Sequence, residues 1–152
     1  MRFLGKILLL LALVTSTTVL HADELMMVRT QLDFPEAMLK LQELIKKQGY
    51  VVSRVQRVDI GLTKSGYKTD KYRVVFFGKA DEVDILIKQY PAMAAYLPLK
   101  IAIFAENTET LLVSINPNTL FAGMDDKLTN TLKQWEKDMY VVFDNMRRAG
   151  DD

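Results

Sequence analysis

The sequence contains no cysteine, and its only histidine is His21. Without thiols the fold cannot depend on disulfides, so its stability has to come from packing. If His21 is also removed, the chain has no cysteine or imidazole for a Cys-His or Ser-His-Asp mechanism. Ordinary zinc, blue-copper, iron–sulfur and His- or Cys-ligated haem sites are excluded for the same reason. We therefore expect no metal site and no cofactor.

The sequence also lacks a hydrophobic run long enough to cross a membrane. Its longest apolar run, from Ile7 to Val14, follows Arg2 and Lys6 and is far shorter than the roughly 20 residues that a transmembrane helix needs. A basic start, a short apolar stretch and small polar residues are typical of a secretory signal peptide. We predict cleavage after Ala22, which would remove His21, and export of the protein to the periplasm. An uncleaved anchor is the alternative.

The chain has no excess of basic residues. Its 20 basic residues include Arg2 and Lys6, so after cleavage 18 would face all 19 acidic residues. A nucleic-acid binder normally carries a basic excess, and we therefore expect no nucleic-acid partner. The 152 residues suit one compact domain with a real core.

The pattern along the chain predicts an α+β domain. Asp33 is a good N-cap, Pro35 lies in the first turn and Gly49 suits the left-handed end of a helix. Apolar periodicity and turn signals predict the other elements. The predicted strands cover 25–32, 50–60, 72–78, 99–105 and 110–115, and the predicted helices cover 33–49, 80–90 and 125–149. The stretch 72–78, YRVVFFG, is so uniformly apolar that we expect a central strand covered on both faces.

These elements resemble the family known as domain of unknown function 302. The resemblance is a pattern from about Leu32 to Leu120, and its markers are Phe34, Leu41, Ile45, Gly49, Tyr50, Gly78, Leu97, Pro98 and Pro117. Many members carry Cys-Asn-Pro at the turn where this chain has Lys79 and Ala80, and a cysteine after Leu-Pro, where it has Leu99 and Lys100. No thiol role is therefore carried over. The resemblance implies a small fold of helices packed on a largely antiparallel sheet, leaves a homodimer open, and supplies no activity.

We accordingly divide the chain into a signal peptide (1–22), an α+β domain (23–124) and a C-terminal amphipathic helix (125–152). The helix carries an apolar seam that can pack on its own sheet or on a second subunit. The seam consists of Leu128, Leu132, Trp135, Met139, Val142, Phe143 and Met146.

Two groups of residues are candidate binding sites. Tyr90, Met93, Tyr96 and Leu97 could form the rim of an apolar pocket, although a loop packed on the core explains them as well. Lys79 begins a helix, and Lys68 and Lys71 lie in a basic, tyrosine-containing loop, so all three are candidate anion contacts. However, the FFGKADEV stretch lacks the glycine and the hydroxyl of a P-loop, and Asp81 and Glu82 would repel a phosphate there.

Three functional hypotheses follow. The first is an exported, non-enzymatic module that binds an apolar or amphipathic small ligand or a protein partner. The second is a structural homodimer of the cell envelope, formed through the C-terminal seam. The third and weakest is a carboxylate-based hydrolase using Asp81 and Asp84, or Asp125 and Asp126, because helix-start acids rarely form a catalytic pair.

Overall fold

In the computed structural model, which describes residues 24–150, five strands form one antiparallel sheet. The strands are β1 (Leu25–Thr30), β2 (Val51–Arg57), β3 (Tyr72–Gly78), β4 (Leu99–Glu106) and β5 (Glu109–Ile115). Their order in the sheet is β1-β5-β4-β3-β2, and every neighbouring pair is antiparallel. The sheet and its helices confirm the predicted α+β class.

The helices are α1 (Phe34–Lys47), α2 (Val58–Lys64), α3 (Ala80–Gln89), α4 (Pro117–Leu120) and α5 (Thr129–Arg148). Short 3₁₀ turns cover Pro91–Ala95 and Asp126–Leu128. Helix α1 begins as predicted, because Asp33 Oδ1 accepts a hydrogen bond from the Glu36 amide at 2.9 Å. It ends just before Gly49, whose φ of 80° is the left-handed conformation that glycine adopts readily.

The core lies between one face of the sheet and the helices. From the sheet it receives Val75, Phe77, Ile101, Ile103 and Leu112 among others, and from α1 it receives Leu41 and Ile45. The predicted seam of α5 enters the same core, with Leu132, Trp135, Met139, Val142, Phe143 and Met146 all buried. Because the sheet, α1 and α5 share one core, the described residues form one packed unit.

The second predicted strand was too long at its C-terminal end. We expected it to reach Ile60, but β2 ends at Arg57 and residues 58–64 form α2. Asp59 lies in the first turn of α2 and pairs with Arg73 of β3, and both side chains are largely buried. This ion pair favours a helical turn here, although Val58 and Ile60 are residues that prefer strands. Sequence periodicity alone does not reveal the ion pair.

The prediction for β3 was only partly right. The strand is central, and Val75 and Phe77 are buried in the core. Val74 and Phe76 point to the opposite face, where they are only partly buried and lie outside the core. Within the described chain the helices therefore cover one face of this strand and not both.

The predicted signal peptide and its cleavage point lie outside the described residues. Between residues 24 and 150, no helix combines the length and the apolar character needed to cross a bilayer.

Candidate functional site

The segment predicted to rim an apolar pocket is divided between the core and the surface. Met93 is fully buried and Leu97 is 8% exposed, so both help to fill the core. Tyr96 is 44% exposed and meets Phe121 edge to face, with 5.8 Å between the ring centroids. A cleft of about 340 Å³ is lined by Phe121 and Asp125, the contact partners of Tyr96 and Tyr90, but by none of the four predicted residues. A ligand site there stays a prediction.

Tyr90 belongs to the same segment and has a specific partner. Its hydroxyl donates a hydrogen bond to Asp125 Oδ2 at 2.9 Å. Desolvation, followed by this hydrogen bond, raises the pKa of Tyr90. The pKa of Asp125 is lowered, first by the backbone amide of Lys127 and then by the Tyr90 hydroxyl. The contact ties the end of α3 to the loop before α5, which is a structural use of both groups.

The three candidate anion contacts do not form one site. The Lys79 ammonium lies 4.8 Å from the centre of the Tyr50 ring, beside the C-terminal end of α1. The Lys71 ammonium lies 5.9 Å from the ring of Phe34, the first residue of the same helix. The 14 residues of α1 separate these positions by about 20 Å. Lys68 is exposed in the loop before β3.

The candidate carboxylates have ordinary structural partners. Asp84 pairs with Lys88 one turn later at 2.6 Å, and Asp125 caps the 3₁₀ turn before α5 through the Lys127 amide at 2.8 Å. Among the described residues, no group of three or more acidic, histidine or cysteine side chains is placed to hold a metal ion. Asp84 thus acts within its own helix, and Asp125 acts as a cap and as the partner of Tyr90.

A polar cluster joins α3 and α5 to Tyr50, which lies between α1 and β2, and sequence patterns do not predict it. The Tyr50 hydroxyl donates to Asp138 Oδ2 at 2.8 Å, and Gln134 donates to the other oxygen of Asp138 at 2.7 Å. The indole of Trp135 donates to Glu82 at 3.0 Å. Burial, and then the bond to Asp138, raise the pKa of Tyr50 and keep its phenol protonated. The cluster therefore connects three parts of the chain, and it contains no charged side chain that is both buried and unpaired.

The opposite face of the sheet carries the feature most suggestive of a binding surface. Side chains alternate along each strand, so the residues between the core positions all point to this second face. On four adjacent strands most of them are apolar, and the charged ones lie towards the strand ends. We call these apolar residues the open sheet face, and they are Leu25 and Met27 of β1, Leu111, Val113 and Ile115 of β5, Ala102 and Phe104 of β4, and Tyr72, Val74 and Phe76 of β3.

Strand register places the apolar side chains of the open sheet face side by side. One row runs from Met27 through Val113 and Ala102 to Val74, and Gln56 of β2 continues it. The next row brings Leu111, Phe104 and Tyr72 together, with the two aromatic rings edge to face at 5.8 Å. None of these residues belongs to the core cluster.

Exposure differs between the middle and the edge of the open sheet face. Leu111, in the middle, is only 4% exposed because its neighbours crowd it. At the edge formed by β1 and the end of β5, Leu25 is 53%, Met27 is 52% and Ile115 is 39% exposed. When one face of a sheet is in water, each strand normally alternates apolar side chains towards the core with polar side chains towards the water. Strand β5 instead turns the apolar residues Leu111, Val113 and Ile115 outward.

Charged residues lie at both ends of the open sheet face, with opposite signs. At one end Glu106 and Glu109 share Arg29, whose Nε lies 2.8 Å and 3.9 Å from their carboxylates. Two acids against one base leave this end negative. At the other end Lys100 and Arg54 flank Phe76 on its two neighbouring strands, and both are exposed.

The predicted partner helix uses its seam inside the chain. Leu128, Leu132, Trp135, Met139, Phe143 and Met146 are each at most 4% exposed and belong to the core. A second subunit would have to displace the chain's own sheet to reach them. Of the two arrangements considered for the seam, the described chain adopts packing on its own sheet.

The comparisons with known proteins agree with this fold. The family model described as "Domain of unknown function DUF302" matches residues 26–146. Among solved structures, the chain is similar to the crystal structure of an uncharacterized conserved protein DUF302 from Bacillus stearothermophilus, with a TM-score of 0.74 and 21% sequence identity. That match covers 83% of this chain and all of the other, and at this identity it shows the fold alone. A search among curated proteins finds no match. Because the family model spans most of the sequence, as the resemblance predicted, the chain belongs to the DUF302 family.

Proposed function

We propose that this protein is an exported, non-enzymatic binding module and that the open sheet face is its working surface. One observation carries the proposal, namely that four adjacent strands turn apolar side chains away from the core. Among them, Leu25 and Met27 remain more than half exposed. Exposed apolar patches of this kind on soluble domains mark surfaces that another molecule covers.

The chemistry of the remaining polar groups supports a binding role over catalysis. The buried Tyr50 and Asp138 are bonded to each other, and Trp135 is bonded to Glu82. A general acid–base pair needs side chains that face a shared cleft with free access to a substrate. In the described chain these groups connect α5 to α3 and to the segment between α1 and β2.

Export is the second part of the proposal, and it is supported by the basic, apolar and polar order of residues 1–22. We expect the protein isolated from its source cells to lack 22 of its 152 residues, which intact-mass measurement would detect. Recovery of the full-length chain from the cytoplasm would contradict export.

A pair of single-cysteine variants tests the working surface, because the natural chain has no cysteine that could react in the background. Met27→Cys places a thiol on the open sheet face, and Leu39→Cys places one on the outer side of α1. The natural side chains are 52% and 72% exposed, so both thiols would be accessible in an isolated protomer. We would label producing cells with a membrane-permeant maleimide and compare the rates.

If the open sheet face is a contact surface in the cell, Met27→Cys will react at least about tenfold more slowly than Leu39→Cys. Denatured samples of both variants should react equally, which controls for intrinsic thiol reactivity. Similar rates for the two native variants would contradict the proposal.

A further inference from the structure

We propose that the occupant of the open sheet face is a second copy of this chain, which packs its own open sheet face against the first. The inference rests on the proposed function, because it names the partner of the same surface. It differs from a dimer through the seam of α5, whose side chains are used within the protomer.

The first argument is the shape of the apolar surface. Strands lie about 4.8 Å apart and rise about 3.3 Å per residue, so the four apolar strands, at six residues each, project to roughly 380 Å². A specific interface buries about 800 Å² of accessible surface on each partner. Accessible surface is larger than projected area because the side chains protrude. The open sheet face can approach that figure only if it is covered across its whole width.

A helix is about 10 Å in diameter and would cover only about half of the roughly 19 Å width of four strands. A second sheet has the required width and packs face to face at about 10 Å, as the two layers of a β-sandwich do. The described chain contains one sheet. A second copy is therefore a partner that supplies a surface of matching size.

The second argument is the distribution of charge. On β4, Lys100 and Glu106 point to the same face and are six residues apart, about 20 Å along the strand. When two copies pack by their open sheet faces, a two-fold axis can lie between the two sheets and run perpendicular to the strands. It reverses the strand direction, so the Lys100 end of one copy lies over the Glu106 end of the other.

This arrangement pairs opposite charges twice, as the symmetry of a two-fold interface requires. The Lys100 end also carries Arg54, and neither residue forms an ion pair with any other described residue. The Glu106 end retains a net negative charge because Glu106 and Glu109 share one arginine. Between the ends, the row through Met27, Val113, Ala102 and Val74 would pack against its own symmetry mate.

The test begins with sedimentation equilibrium of the purified protein. We expect twice the mass of one chain, falling towards the single-chain mass on dilution. Val113→Lys places a charge in the middle of the open sheet face and should give the single-chain mass, whereas the control Leu39→Lys should remain a dimer. A Val113→Lys protein that is folded by circular dichroism and still dimeric would overturn the inference.

A charge exchange tests the two-fold arrangement itself. Lys100→Glu alone places acid over acid at both ends, and Glu106→Lys alone places base over base. Each variant should raise the dissociation constant at least about tenfold at low salt. Mixing the two variants restores both opposite-charge contacts, so we expect heterodimers in the mixture. Because a misfolded variant could not form them, heterodimers would also show that both variants fold. A mixture that stays monomeric while each variant melts as the natural protein does would overturn the arrangement.

Failure of this inference can be told apart from failure of the proposed function. If the purified protein is monomeric at every concentration but Met27→Cys is still protected in cells, the occupant is another molecule. The proposed function would then stand without the second copy. If the purified protein is monomeric and Met27→Cys reacts freely in cells, both fail.

Discussion

At the scale of single residues, the contact between Tyr50 and Asp138 connects parts of the chain that are 88 positions apart. Tyr50→Phe removes the donor of this hydrogen bond. The buried Asp138 carboxylate then keeps one side-chain hydrogen bond, the one that Gln134 donates. We expect the free energy of unfolding to fall by about 1–3 kcal/mol, measured by urea denaturation. As a control, Tyr140→Phe removes a hydroxyl from a half-exposed ring on α5, the helix that carries Asp138. It should change the free energy of unfolding by less than about 0.5 kcal/mol.

The same tyrosine predicts a dependence on alkaline pH. Its pKa is raised above the ordinary value of 10.0, first by burial and then by Asp138, so the folded chain keeps a proton that the unfolded chain loses. The stabilisation is therefore complete below about pH 10 and decreases as the pH rises further. We expect the alkaline loss of stability to be steeper in the natural protein than in Tyr50→Phe. Parallel pH profiles of the two proteins would contradict a raised pKa.

Residue types at helix ends could be predicted from the sequence, and long-range partners could not. Asp33 caps α1 as expected because a cap depends on residues only three positions away. Asp138 lies three residues after Trp135, on the apolar seam of α5, and this placement was the one signal that it would be buried. Its partner Tyr50 depends on how α1 and α5 are packed together, which local pattern does not encode.

At the scale of elements, α5 supplies a large part of the core. Met139 is 2% exposed, and Met139→Ala would leave a cavity beneath the helix. We expect the free energy of unfolding to fall by about 2–5 kcal/mol, measured by urea denaturation. The neighbouring Tyr140→Ala changes a residue that is 49% exposed and should cost well under half of that. Equal decreases in the free energy of unfolding for the two variants would contradict the burial of the seam at Met139.

Helix α5 and most strands were predictable because their apolar patterns are long and regular. The seam of α5 recurs at steps of three and four over 20 residues, and the structure shows the helix within a few residues of its predicted limits. The stretch from Val58 to Lys64 was different. Residues 58–60 were predicted as the end of a strand, whereas the ion pair between Asp59 and Arg73 helps to hold residues 58–64 as α2.

At the scale of the whole molecule, the sequence implied two covered faces and the described chain covers one. The uniformly apolar character of β3 predicted cover on both faces, because strands that face water alternate. In the structure one face lies in the core and the other is only partly buried. The sequence does not show what would cover the second face. The open sheet face has an apolar middle and ends of opposite charge. For this reason we propose a second copy of the chain as its cover.

Methionine oxidation measures the cover of the open sheet face directly, in the natural protein and without substitution. Met27 lies on this face and is 52% exposed in the protomer, and Met124 lies away from it and is 37% exposed. Met93, Met139 and Met146 are buried and serve as internal controls for an intact fold. After brief treatment of the concentrated protein with peroxide, peptide mass spectrometry reports each site. We predict that Met124 oxidises readily while Met27 is protected nearly as well as the buried methionines, and oxidation of Met27 at least as fast as that of Met124 would contradict the account.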